Sequence, residues 1–325
     1  MSELIPFDPT ATVDLNFEGY VASRREHLSA HIEGGVPDYA FALDGKIRAG
    51  LSTVAVLRTI AQALNSATVP IQRQLLLMDG VAVGPRQFPE VHRMGEECAR
   101  TLGIAVPQIF ITHDPSPNGW TYCTNDVDQI VVLTSGLVQA CEPAELLSVV
   151  GHECGHIHNQ HVVYNTIWEM LTNPLAQRMI FSILRAIPGL GVIVSLVETA
   201  LPASLSYVFG RWHRCAEITC DRAGLICGGD LQAALGAEGK LRTGGAALLK
   251  GFNPEEYAKQ MEQMKGSPVR LLEAFRTHPM GPARVESMRL FSECEVLFRW
   301  RPEMRGDIEP RSKEDVDRAC ESLLV

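Results

Sequence analysis

Four of the ten histidines fall in SVVGHECGHIHNQH, the stretch from Ser148 to His161. His152 and His156 are four apart, so on a helix they project from one face, one turn above the other. Two neutral imidazoles so placed can both bind one Zn²⁺, at roughly 2.0–2.1 Å each. Glu153 follows the first histidine and completes H-E-x-x-H, a pattern in which the glutamate stays off the metal and acts as general base on bound water. A catalytic zinc takes a third protein ligand and leaves its fourth position to water. A third histidine in the H-E-x-x-H-x-x-G-x-x-H arrangement fails, because Asn159 fills the glycine slot and Val162 the last one. His158 and His161 therefore read as surface or outer-sphere residues. The stretch RWHRCAEITCDRAG (Arg211–Gly224) offers instead Glu217 and Asp221, four apart. Glu217 could complete the zinc shell while Asp221 accepts the outer N–H of a ligand histidine and fixes its tautomer. Arg214, one turn before Glu217, is placed to neutralise the pair. Cys154, Cys215 and Cys220 lie nearby, and thiolates bind zinc, but small buried residues are the simpler reading.

Elements must hold these groups. Glu142-Pro143 marks a helix start, and Leu146, Leu147, Val149 and Val150 give it an apolar face leading into the histidines. Residues 1 to about 40 are rich in turn formers, and 42–66 reads as a helix. Strands are expected near 69–77, 107–112, 120–124 and 129–134. Residues 176–210 are strongly apolar, yet Arg185, Glu198 and Pro188-Gly189 interrupt them. The uncharged runs, 186–197 and 199–210, are 12 residues each, short of the roughly 18–20 that span a bilayer. A buried helical hairpin roofing the cleft, or a dimer contact, is expected there, and peripheral membrane contact stays compatible with the sequence.

Composition narrows the classes. At 325 residues and 46% hydrophobic content the chain can bury a sizeable core. A net charge of −9 and a pI near 5.6 argue against nucleic acid as partner. The first residues show no basic stretch followed by an apolar one, and nine cysteines without C-x-x-C spacing suggest free thiols in a reducing cytoplasm.

Five segments in order then resemble metallopeptidase family 48, the gluzincin group that includes the CaaX prenyl endopeptidases and HtpX-type heat-shock proteases. They are VGPRQFPEVHRMGEECARTLGIAVPQIFIT, PNGWTYCTNDVDQIVVLTSGL (Pro117–Leu137), PAELLSVVGHECGHIHNQH, RCAEITCDRAG and RTHPMGPARVESMR (Arg276–Arg289). The likeness covers roughly residues 75–290. It implies that His152, His156 and Glu217 hold one zinc per chain, that Glu153 is the base and that Asp221 supports the shell. It also implies that His278 and Arg284 form a distal pair near the metal, where an arginine could stabilise an oxyanion. The strand at Asn118, Gly119 and Trp120 would take extended substrate backbone. The family usually has Ala and Phe where Gly119 and Trp120 stand, so Trp120 is expected to narrow or redirect the cleft.

The expected fold is α+β and mostly helical, a zincin-like core with a small antiparallel sheet beside the active-site helix. The expected organisation is an N-terminal helical extension (1–66), a catalytic region (67–300) carrying the 176–210 insert, and a charged tail (301–325). The expected function is a cytoplasmic zinc metalloendopeptidase acting on peptide or unfolded protein, with a homo-oligomer left open. The alternatives are a latent zinc-binding regulator and a gluzincin-type hydrolase of a non-peptide substrate.

Overall fold

Residues 31–33, 36–52, 55–124, 127–162, 164–165, 178, 203–244, 251–264, 267 and 280–324 are described by the computed structural model. The strands are β1 (Ile32–Glu33), β2 (Val36–Pro37), β3 (Val81–Ala82), β4 (Gln108–Thr112), β5 (Gly119–Thr124) and β6 (Val127–Thr134). The helices are α1 (Ala42–Ser52), α2 (Ala55–Asp79), α3 (Pro89–Leu102), α4 (Ser135–Ala140), α5 (Pro143–His158) and α6 (Ala203–Gly228). They continue with α7 (Leu231–Thr243), α8 (Pro254–Met264), α9 (Gly281–Ser292), α10 (Glu295–Trp300) and α11 (Lys313–Glu321). The fold is mostly helical with one small sheet, as the sequence suggests. Of the apolar stretch 176–210, residues 176–177 and 179–202 lie outside the described residues, and 203–210 open α6. Among the described residues no helix is long and apolar enough to cross a membrane.

The sheet corrects one expectation, because it is mixed rather than antiparallel. Its strand order is β3-β4-β6-β5, with β4 and β6 parallel and the other pairs antiparallel. The chain places β5 at the outer edge and returns through β6 into the position beside β4. Such parallel pairing belongs in a sheet covered on both faces, and both faces are covered here. Ile109, Val131 and Leu133 join the cluster that includes α5, while Phe110, Ile130 and Val132 pack against Val69 and Leu76 of α2.

A second correction follows from α2. The run expected as a strand at 69–77 is helical. Its buried residues, Ala61, Asn65, Thr68, Val69 and Leu76, recur at helical spacing, while Pro70, Ile71 and Leu75 face outward. The helix expected over 42–66 is divided between α1 and α2.

α5 starts where the sequence indicates. Pro143 occupies its first turn and the Glu142 N–H donates to Glu145 Oε2 at 2.6 Å. α5 and α6 approach almost backbone to backbone. A Cβ added at Gly155 would lie 2.7 Å from Ala223 Cβ, and one at Gly224 would lie 2.7 Å from the Ser148 carbonyl oxygen. Any larger residue would push apart the two helices that carry the site.

One apolar cluster joins Tyr39 and Phe41, the inner sheet face, α5, α6 and α9 to Val316 and Cys320 of α11. Full burial of each large side chain in it stabilises by about 1.5–3 kcal/mol. Arg222 of α6 is buried inside this assembly. Its guanidinium pairs with Asp317 of α11 at 2.7 Å, donates to the Tyr39 carbonyl at 3.1 Å and lies 4.9 Å from the Phe291 ring. Residues from both ends of the described chain therefore close over the site-bearing helix.

Candidate metal centre

His152 and His156 stand one turn apart on α5, their ring centroids 5.1 Å apart. Glu217 of α6 lies between them: Oε2 is 3.7 Å from His152 Nε2, and Oε1 is 3.4 Å from His156 Nε2. Ligand atoms bound at roughly 2.0–2.1 Å to one tetrahedral ion would sit about 3.3 Å from each other. The two imidazole nitrogens and the carboxylate are thus gathered at a spacing that fits one zinc. Burial pushes the His156 imidazole down, but the bond to Glu217 and its charge outweigh that and hold it above the usual histidine range.

A second donor set competes on distance alone. His152, His156 and Cys220 each offer an atom within 4.8 Å of the others. Cys220 Sγ, however, lies 3.4 Å from His161 Nδ1, and that same nitrogen lies 3.3 Å from His156 Nδ1. The thiol is therefore on the Nδ1 side of His156, away from the nitrogen that faces Glu217. Burial first, and then the charges of Glu217, Asp44, Glu153 and Asp221, push the Cys220 thiol well above its ordinary range.

The outer nitrogen of His152 meets Asp221 Oδ1 at 3.0 Å. Asp221 also accepts from Arg284 of α9, with Nε to Oδ2 at 2.9 Å and a second bond from Nη2 to Oδ1. Arg284 Nη1 lies 3.3 Å from Glu238 and 3.7 Å from Glu217. This corrects the expected role of Arg284. Its guanidinium is turned to three buried carboxylates, so the geometry makes it their countercharge rather than an oxyanion donor. Burial pushes the Asp221 carboxyl up, and Arg284 and His152 more than reverse this, leaving it below the ordinary carboxylate range. Arg214, expected to neutralise the cluster, is buried one turn before Glu217 on α6. His278 lies outside the described residues.

Glu153 points to the sheet edge. Its Oε2 accepts from the Thr121 hydroxyl at 2.6 Å, and a Cβ added at Gly119 would meet its Oε1 at 3.3 Å. Strand alternation puts Gly119 and Thr121 on the α5 face of β5 and Trp120 on the other. Trp120 packs there with the cluster of Phe110, Ile130 and Val132. The expectation that Trp120 shapes the cleft is therefore corrected, since its ring lies on the far side of the sheet. Asn118 is exposed just before the strand, its side-chain Oδ1 accepting from the Gly119 N–H at 3.0 Å.

Sequence reasoning did not single out Thr121, Glu238 or Asp44. Thr121 had a signal, since it sits two residues after Gly119 on a strand already placed beside the site. Glu238 and Asp44 had none, because each reaches the centre through tertiary packing alone.

Residues 85–291 match peptidase family M48. The chain belongs to that family. Membership places it among zinc-dependent metallopeptidases. The chain is similar, at 26% identity over 203 residues, to the plastoglobule-localized metallopeptidase 48, chloroplastic, of Arabidopsis thaliana, covering 60% of this chain and 54% of that one. It is also 30% identical over 130 residues to a protease HtpX homolog of Moorella thermoacetica, covering 40% of this chain and 44% of the other. It thus spans about half the length of these curated relatives. No solved structure gives a significant match. The family match begins after α1 and α2, so Asp44 and the sheet-covering helix lie outside it.

Proposed function

We propose that this M48 chain is a zinc metalloendopeptidase in which His152, His156 and Glu217 hold the metal and Glu153 is the general base. The observation that carries the reading is the position of Glu153, fixed by Thr121 between the paired imidazoles and an edge strand. When bound, zinc would polarise a peptide carbonyl and acidify a water. Glu153 Oε1, the oxygen not engaged by Thr121, takes the proton of the attacking water and returns it to the leaving amine nitrogen. Asp221 holds His152 with Nδ1–H outward and Nε2 toward the centre. β5 is the outer strand of its sheet, so extended peptide can pair with it and lie across Glu153. The substrate class is therefore an extended or unfolded protein segment. The nine cysteines stand as free thiols, which supports a reducing compartment such as the cytoplasm.

The test is cleavage of casein by the zinc-loaded protein beside Glu153→Gln, with cut sites mapped by mass spectrometry and metal content measured. Cleavage is expected to vanish in Glu153→Gln while one zinc per chain remains. Equal cleavage by both proteins would remove Glu153 from the chemistry.

A further inference from the structure

The second ligand histidine also needs a partner at its outer nitrogen, and the polar groups behind it supply one. His156 Nδ1 faces His161 Nδ1 at 3.3 Å, and His161 Nε2 faces Asp44 Oδ2 at 2.9 Å. His161 and Asp44 are completely buried. Asp44 Oδ2 accepts from the Thr219 hydroxyl at 2.7 Å, and its Oδ1 accepts from Trp212 Nε1 at 3.0 Å. The bonds fix the order of donors. A carboxylate already taking two N–H or O–H bonds accepts a third from His161, which places the His161 proton on Nε2. His161 Nδ1 then bears a lone pair that faces His156 Nδ1–H at 3.3 Å, with the Cys220 thiol beside it at 3.4 Å. His156 Nε2, the nitrogen turned toward Glu217, is then the one left to face a metal.

We infer that Asp44 and His161 are positioning residues for the metal centre, forming a carboxylate–imidazole relay that fixes the tautomer and ring orientation of His156. Each ligand histidine is thereby locked to a carboxylate: His152 directly by Asp221, His156 through one intervening ring. Asp44 comes from α1, outside the family match, so the N-terminal helix is part of the metal site rather than an appendage. The inference rests on the reading of His156 as a zinc ligand.

The test uses the full-length chain. The side-chain ¹⁵N shifts of zinc-loaded, ¹⁵N-histidine-labelled protein report the tautomers without any substitution. His161 protonated at Nε2 and His156 at Nδ1 are expected; His161 protonated at Nδ1 or at both nitrogens overturns the relay. Zinc affinity is then measured by competition with a chromogenic chelator. His161→Leu should weaken it about 10–100-fold, as loss of an outer-shell partner does. His161→Asn, which retains an acceptor near the Nδ1 position, should stay within about threefold of wild type. Affinity of a folded His161→Leu within about twofold of wild type, or an equal loss in both variants, overturns the proposal. If His161→Leu does not fold, the tautomer measurement decides. Undiminished zinc binding by His156→Ala would instead overturn the ligand assignment, and the relay with it.

Discussion

Replacing Arg284 with methionine tests whether its charge holds the site together. The guanidinium contacts Asp221 at 2.9 Å and lies 3.3 Å from Glu238 and 3.7 Å from Glu217, all buried. Methionine keeps much of the apolar volume and removes the countercharge. Leaving one side of a buried ion pair unmatched costs about 3–5 kcal/mol. An unfolding entropy of about 2.1 cal/mol/K per residue over 325 residues gives about 0.7 kcal/mol/K for cooperative unfolding. The melting temperature of chelator-treated protein should therefore fall by about 4–7 °C, read by circular dichroism near pH 7.5. The pH dependence supplies a second reading. In the wild type the Asp221 carboxyl lies below its ordinary value, so its stabilising contribution is complete above the unfolded value of about 3.9 and is lost as pH falls through the folded one. Without Arg284 the main lowering influence disappears, and burial, opposed by His152, raises the folded value from where it stands in the wild type. The charged form is then penalised at neutral pH and relieved on acidification, so the deficit should shrink toward about pH 5. A deficit under about 2 °C near pH 7.5, or one that grows toward about pH 5, would refute the countercharge role.

Two further substitutions test other parts of the assembly. Gly119→Val crowds Glu153 Oε1, which already lies 3.3 Å from where a Cβ would be. It should lower kcat/KM on a fluorogenic peptide by about tenfold or more while zinc content is unchanged; an unaltered kcat/KM would show that Glu153 adjusts freely. Asp317→Ala strips the buried Arg222 of its carboxylate partner. It should cost about 3–5 kcal/mol in urea unfolding, and a loss under about 1 kcal/mol would mean that α11 is held by its apolar contacts alone.

The centre was legible where ligand spacing is local. His152, Glu153 and His156 are fixed by one helical turn, and Glu217 and Asp221 by another, so their faces follow from i, i+4 geometry. The strands at 107–112, 120–124 and 129–134 also announce themselves through β-branched and aromatic runs. What escaped depends on long-range placement. The parallel pairing of β4 with β6 skips the strand between them, and no short-range pattern encodes that choice. The helix through 69–77 was masked because Asn65 and Thr68 fill buried positions that an apolar periodicity would have marked. Asp44 lies 117 residues from His161, the residue it contacts, so it looks in sequence like any acid in the first turn of a helix.

The clamp of Arg222 on Asp317 also bears on the order of synthesis. α6 carries Glu217 and Asp221 together with Arg222, and the carboxylate that neutralises Arg222 is made almost a hundred residues later. During translation, the helix that carries Glu217 cannot bury this arginine with its partner until α11 has emerged. Settling of α6 is thus timed by the emergence of α11 rather than by completion of the histidine and carboxylate motifs. A nascent chain that has already produced His152, His156 and Glu217 still lacks the counterion of Arg222.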